Sequence, residues 1–137
     1  VVFQDFKLLP SLTVYENVAF ALEVIEEEPK EIKRRVMDML DLVGLKHKAR
    51  MMPNELSGGE QQRVSIARSI VNNPKVVIAD EPTGNLDSKS SDEIVELLKK
   101  SNKEYKQTII MITHNMEIAK CADRIIKIED GKIVKEV

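Results

Sequence analysis

The spacing of apolar residues along the chain predicts four amphipathic helices and a fifth, short one. Apolar residues three or four positions apart share one face of a helix, and such spacing begins near Thr13 and Pro29 and recurs over 59–72, 87–104 and 116–120. Proline suits the first turn of a helix, which favours a helix start at Pro29. The predicted apolar faces of the first two helices consist of Val14, Val18, Leu22, Ile25, Ile32, Val36, Met39, Leu40 and Val43.

Continuous apolar runs predict strands between these helices. Residues 76–79 and 108–113 are almost wholly apolar, as expected of parallel strands that are buried on both faces. The chain opens on another apolar run, 1–3, and ends on a predicted hairpin over 124–137 with an Asp-Gly turn. Strands that alternate with helices indicate an open α/β sheet with right-handed crossovers.

Two adjacent glycines make the start of the third helix a candidate anion site. Gly58 and Gly59 lack a Cβ, so their backbone N–H groups can approach a ligand closely. A helix start also presents unpaired N–H donors and the positive end of the helix dipole, and phosphate is its usual anion. The alternative is a simple helix cap, because Ser57 and Glu60 have capping-box spacing. A cap does not require two glycines, and we therefore favour the anion site.

Polar residues follow three of the predicted strands, at the edge of an α/β sheet where ligands bind. They are Gln4, the pair Asp80 and Glu81, and His114. Mg²⁺ prefers one or two carboxylates together with phosphate oxygens and water, so Asp80 is a candidate metal ligand. Glu81 is then placed to activate a water, and His114 to donate to a phosphate or hold that water. The alternatives are turn capping by the two carboxylates and a plain surface position for His114.

The order and spacing of these motifs resemble those of ABC-type ATPases over essentially the whole chain. In that family's terms, residues 56–60 resemble the signature sequence, Asp80 the Walker B aspartate and Asp87 the D-loop aspartate. In the same terms, Gln4 resembles the Q-loop glutamine, Glu81 the catalytic glutamate and His114 the switch histidine. It implies ATP and Mg²⁺ as cofactors. The implied sites are Glu81 and His114 for catalysis, Asp80 and Gln4 for the metal, and Gln4, Ser57, Gly58, Gly59, Glu60 and Asp87 for the nucleotide.

The resemblance further implies an α/β fold that is the carboxyl-terminal part of a P-loop NTPase core, with a RecA-like parallel sheet and an α-helical subdomain. Segment 1–5 would end a core strand and begin the Q-loop, 6–56 would form the helical subdomain, and 57–137 would carry the signature helix and the rest of the core. The amino-terminal phosphate-binding loop, G-x-x-x-x-G-K-[ST], is absent from the sequence. We therefore expect a fragment of a longer ATPase that neither binds ATP tightly nor hydrolyses it alone.

Composition and charge exclude several classes of function. The chain is 42% hydrophobic and 32% charged, with a formal net charge of −2, which is typical of a soluble globular domain. Acidic and basic residues are interspersed, so no basic stripe predicts a nucleic-acid partner. No apolar run approaches the ~20 residues of a membrane-spanning helix. Cys121 is the only cysteine, so no disulfide forms within the chain.

The family resemblance implies two protein partners. Two ATPase subunits would form a homodimer in which each signature contacts the nucleotide held by the other subunit. A membrane permease-like protein would hold the ATPase at the inner, cytoplasmic face of the cell membrane. Apolar residues near the start of the chain are candidates for that contact, although packing in the core is the simpler explanation for them. They are Phe6, Leu8, Leu9 and Phe20.

Two branches of the family share features with this chain. Residues 3–10 and 13–22 resemble the branch that serves bacterial cell division, whereas 122–126 resembles the lipoprotein-releasing and macrolide-export branches. We favour the cell-division branch. A non-catalytic interaction module is the alternative from another class of function, and the missing phosphate-binding loop is the feature that supports it.

Overall fold

The helices and strands follow the predicted order along the chain. The computed structural model describes residues 2–3, 7–23 and 28–136. Within these ranges the helices are α1 (Val14–Glu23), α2 (Pro29–Leu42), α3 (Gly58–Ile70), α4 (Ser88–Tyr105) and α5 (Met116–Ala119). The strands are β1 (Val2–Phe3), β2 (Val76–Asp80), β3 (Thr108–Ile112), β4 (Ile126–Glu129) and β5 (Lys132–Glu136). Single-turn 3₁₀ helices cover Lys46–Lys48 and Pro53–Glu55.

Strands β1, β2 and β3 form one parallel sheet in that order. Phe3 pairs with Asp80, and Asp80 pairs with Ile112, so the carboxyl ends of the three strands lie level. Strands β4 and β5 form a separate antiparallel hairpin. Its turn residues Asp130 and Gly131 have φ values of 50° and 75°, as a two-residue turn between twisted strands requires. The predicted parallel strands and hairpin are both confirmed.

Among the described residues, the parallel sheet is covered on one face only, so the expectation that β2 and β3 are buried on both faces was wrong. Ala79 is fully buried in a core shared with helices α1 to α4. On the other face of β2, Val76 and Ile78 are 49% and 39% exposed. Ile78 pairs with Ile110 of β3, and Ile110 and Ile112 are each 49% exposed. The described helices pack on the Ala79 side, and no described element covers the other.

Helix α3 lies at the centre of the packing and contacts α1, α2, α4 and β1. The predicted faces of α1 and α2 are buried as expected, except that Ile25 lies outside the described residues. Every regular element in the described part of 6–56 is helical, while the domain boundary at 56 stays a prediction. None of the described helices is long and apolar enough to span a bilayer.

Candidate functional site

The amino terminus of α3 carries the predicted capping box. Ser57 Oγ accepts a hydrogen bond from the Glu60 N–H at 3.2 Å, and Glu60 Oε1 accepts one from the Ser57 N–H at 3.0 Å. The N–H groups of Gly58 and Gly59 have no acceptor among the described residues. The cap and an anion site are therefore compatible, because the cap uses one helical donor and leaves the two glycine amides available.

Gly59 also has a packing role that the sequence did not reveal. A Cβ added at this position would lie 3.0 Å from Ser90 Oγ and 3.2 Å from Ser90 Cβ. Ser90 belongs to the first turn of α4, and its N–H donates to Asp87 Oδ1 at 2.8 Å. The close approach of α3 and α4 therefore explains the second glycine without any ligand.

Glu60 joins the start of α3 to the connector that precedes it. Its carboxylate accepts a hydrogen bond from Lys48 Nζ as well as from the Ser57 N–H. The Lys48 hydrogen bond, followed by the Ser57 backbone bond, lowers the pKa of Glu60 from 4.5 to about 2. Both bonds occupy the carboxylate, which gives Glu60 a structural role. Its predicted contact with a nucleotide stays a prediction.

Glu81 and His114 lie together just beyond the carboxyl ends of β2 and β3. Glu81 Oε1 lies 3.4 Å from His114 Nε2, and the two side chains are 21% and 97% exposed. The Glu81 N–H donates to the Ile112 carbonyl at 2.8 Å, which fixes the residue against β3. Glu81 Oε1 is buried and accepts no hydrogen bond from the described residues. The site therefore brings together a sheltered carboxylate and an exposed imidazole, two groups of the kinds that serve in general acid–base chemistry.

Glu81 also adopts a left-handed backbone conformation, with φ of 47°. Residues other than glycine seldom adopt this region unless their surroundings hold them there. Two backbone hydrogen bonds do so: the one to Ile112, and one from the Gly84 N–H to the Glu81 carbonyl at 3.0 Å.

Asp80 and Phe3, the residue before Gln4, pair at the same edge of the sheet. Asp80 is the last residue of β2 and is partly buried. Phe3 pairs with it from β1, but Gln4 itself lies outside the described residues. Within the described ranges, no group of three or more His, Cys, Asp or Glu side chains could hold a metal ion. Asp80 therefore fits Mg²⁺ in a site whose other ligands lie outside the described residues, such as phosphate oxygens and water.

Asp87 caps helix α4. Its Oδ1 accepts the Ser90 N–H, and this hydrogen bond lowers the pKa of the Asp87 carboxyl. The side chain is exposed. It bonds to Ser90, the same residue that lies against Gly59. The D-loop role of Asp87 stays a prediction.

Gln62 is the residue of this region that the sequence reasoning missed. It is fully buried on α3, and its Nε2 donates to the Pro82 carbonyl at 2.6 Å. Pro82 follows Glu81 directly. The available signal was its position: Gln62 lies one helical turn before Ile66, on a face that is otherwise apolar.

These features define the class of protein. The ABC transporter family model matches residues 1–84, and the chain belongs to this family. It is 66% identical over 137 residues to the cell division ATP-binding protein FtsE of Bacillus subtilis (strain 168). It is 63% identical to the FtsE protein of Streptococcus pneumoniae (strain D39). The matches cover 99% of this chain and 60% and 59% of those proteins, so the chain spans about three-fifths of their length.

Solved structures of similar fold are ATP-binding cassettes. The dimeric post-hydrolysis cassette MJ0796, bound to ADP and Pi, matches with a TM-score of 0.84 and 41% identity over 99% of this chain and 60% of its own. The cbiO1 protein of Clostridium perfringens, part of the ABC transporter complex cbiONQ, matches with a TM-score of 0.92 and 36% identity, over 98% of this chain and 55% of its own. The α/β cassette fold implied by the sequence is confirmed.

Proposed function

We propose that this chain is the signature-bearing and hydrolytic part of an FtsE-like ABC ATPase that acts in bacterial cell division. The observation that carries the proposal is the contact between Glu81 and His114 beyond the level ends of two parallel strands. The identity of 63–66% to two FtsE proteins supports the cell-division branch over the lipoprotein-releasing and macrolide-export branches. Because the chain spans three-fifths of those relatives, the activity belongs to a full-length protein that also contains a phosphate-binding loop.

The predicted site residues have distinct roles in this proposal. Asp80 would hold Mg²⁺, which would supply charge neutralisation at the phosphates when ATP is bound. Glu81 accepts a proton from the attacking water, and His114 orients that water or donates to the phosphate. The amides of Gly58 and Gly59 bind the phosphates of the nucleotide held by a second subunit. Gln4 completes the metal site. As the family resemblance implies, Gln4, Ser57, Glu60 and Asp87 also contribute to nucleotide binding.

Replacing Glu81 tests the proposed hydrolysis. In the full-length protein, Glu81→Gln keeps the shape of the side chain but removes the base, so we expect ATP turnover to fall by about 100-fold or more. ATP should still bind and should hold the variant as a dimer in size-exclusion chromatography. The matched control is Glu96→Gln, which changes an exposed glutamate on α4 and should leave turnover unchanged. Equal turnover in both variants would refute the assignment of Glu81.

An apolar surface near α1 is the proposed contact with a permease-like partner. Leu9 and Phe20 are 40% and 47% exposed, and Leu8 is partly buried against the core. Phe6, the fourth predicted residue, lies outside the described residues. Leu9→Asp with Phe20→Asp should abolish co-purification with the permease and leave nucleotide binding intact. Tyr105→Asp, at an exposed apolar position on α4, is the control. Retained co-purification in the double variant would exclude this surface.

The sequence of 137 residues contains no phosphate-binding loop motif, and this bears on what the isolated chain can do. Without it, no lysine holds the β- and γ-phosphates and no P-loop hydroxyl holds Mg²⁺. We therefore propose that the isolated chain neither binds ATP tightly nor hydrolyses it. A nucleotide titration of the isolated chain that gave micromolar affinity together with turnover would refute this proposal.

A further inference from the structure

One hydrogen bond connects the helix that carries the glycine amides to the loop that carries Glu81. Gln62 is fully buried on α3, and its Nε2 donates to the Pro82 carbonyl at 2.6 Å. Gln62 lies four residues after Gly58, which is about one helical turn. The same rigid helix therefore places the amides at its start and the amide donor one turn later.

The loop after β2 depends on such contacts for its shape. Glu81 has a left-handed backbone, with φ of 47°. Its N–H bonds to β3, and its carbonyl bonds to Gly84. Pro82 cannot donate from its own backbone nitrogen, so its carbonyl is the main-chain group that it offers. The Gln62 side chain on α3 donates a hydrogen bond to that carbonyl. Pro82 directly follows Glu81, the residue with the left-handed backbone.

We propose that Gln62 is a positioning residue for Glu81. It couples the location of the α3 amino terminus, and hence occupancy of the glycine amides by phosphate, to the location of the Glu81 carboxylate. In a dimer, the amides contact the nucleotide of one site and Glu81 acts at the other, so this hydrogen bond links the two sites within one subunit. The inference rests on the proposed ATPase function.

Substitutions of Gln62 in the full-length protein test this inference. Gln62→Met keeps the length and shape of the side chain but removes the donor. We expect kcat to fall by about tenfold to a hundredfold through misplacement of Glu81, with KM for ATP little changed. The buried Pro82 carbonyl loses its donor, so the thermal midpoint should fall by a few degrees. The control is Ser65→Ala, which removes another fully buried polar group of α3 whose Oγ makes no hydrogen bond in the described chain. This control should keep the wild-type kcat.

Gln62→Glu supplies a second readout that a purely structural role would not produce. Its carboxylate repels the Pro82 carbonyl when ionised and donates to it when protonated. The kcat of this variant relative to wild type should therefore rise as the pH is lowered through the pKa of the new carboxyl group. This measurement also decides the matter if Gln62→Met fails to fold.

The outcomes separate the two proposals. A wild-type kcat in Gln62→Met, or a pH-independent ratio for Gln62→Glu, would overturn the positioning role while leaving the ATPase assignment intact. Absence of hydrolysis in the wild-type full-length protein would overturn the proposed function, and this inference with it.

Discussion

Replacing Gly59 with alanine tests whether the packing of α3 against α4 requires a glycine. The new Cβ would lie 3.0 Å from Ser90 Oγ and 3.2 Å from Ser90 Cβ. The hydroxyl can rotate away, but the Ser90 Cβ is fixed to the α4 backbone, so the helix ends must move apart. Overpacking of this kind costs about 1–3 kcal/mol, and alanine regains about 1 kcal/mol of helix propensity. We therefore expect the free energy of unfolding to fall by about 1 kcal/mol.

Urea unfolding followed by circular dichroism, with linear extrapolation, measures this change. The matched control is Gly58→Ala, at the exposed neighbouring position, which should be neutral or stabilising. In the double variant, Ser90→Gly removes both contacting atoms, so the overpacking cost of about 1–3 kcal/mol should appear as the coupling energy between the two sites. If Gly59→Ala were as stable as Gly58→Ala, with no coupling to Ser90, packing would not explain the glycine. Close approach of a phosphate would then be the remaining reason for it.

Two further predictions concern stability. The pKa of Glu60 is lowered to about 2 in the folded chain against 4.5 in the unfolded one, so Glu60 stabilises the fold above about pH 4.5 and loses this effect as the pH falls towards 2. Glu60→Gln should therefore show a weaker loss of urea stability over that interval, and identical pH profiles would contradict the reasoning. Asn17 is fully buried and bonds to Leu9 N–H at 2.8 Å and to three carbonyls at 3.1 Å. Asn17→Ala should cost about 2 kcal/mol in the same assay, since it strips the Leu9 N–H and the Leu12 carbonyl of their partner, while the Leu9 and Thr13 carbonyls keep backbone donors. A loss below about 0.5 kcal/mol, the usual range for surface substitutions, would contradict this.

Local chemistry made the helix starts predictable. Thr13 and Glu16 form reciprocal hydrogen bonds at 3.0 and 3.1 Å, as do Ser57 and Glu60. Each capping box needs only residues three positions apart, so the sequence contains the whole interaction. The meeting of Glu81 with His114 was also predictable, because parallel strands end at one edge of a sheet.

Contacts between distant elements were not predictable in the same way. Gly59 touches Ser90, and Gln62 bonds to Pro82, only because α3 packs against α4 and against the loop after β2. Nothing in the local pattern distinguishes a glycine needed for such packing from one needed by a ligand. The half-exposed face of β2 was missed for a related reason. An apolar run at 76–79 has the same pattern whether one or two faces are covered.

The uncovered face of the parallel sheet limits what thermodynamic measurements on these 137 residues can report. Four apolar side chains keep much of their contact with water after folding: Val76, Ile78, Ile110 and Ile112. Folding therefore gains only part of the transfer free energy that their full burial would give. Truncating Ile110 to alanine should then cost this unit less than the ~2–5 kcal/mol typical of a buried isoleucine. If the same substitution lowers the free energy of unfolding more in a longer protein, the difference would report how far additional residues bury this face of the sheet. Substitutions at the four side chains would map that burial.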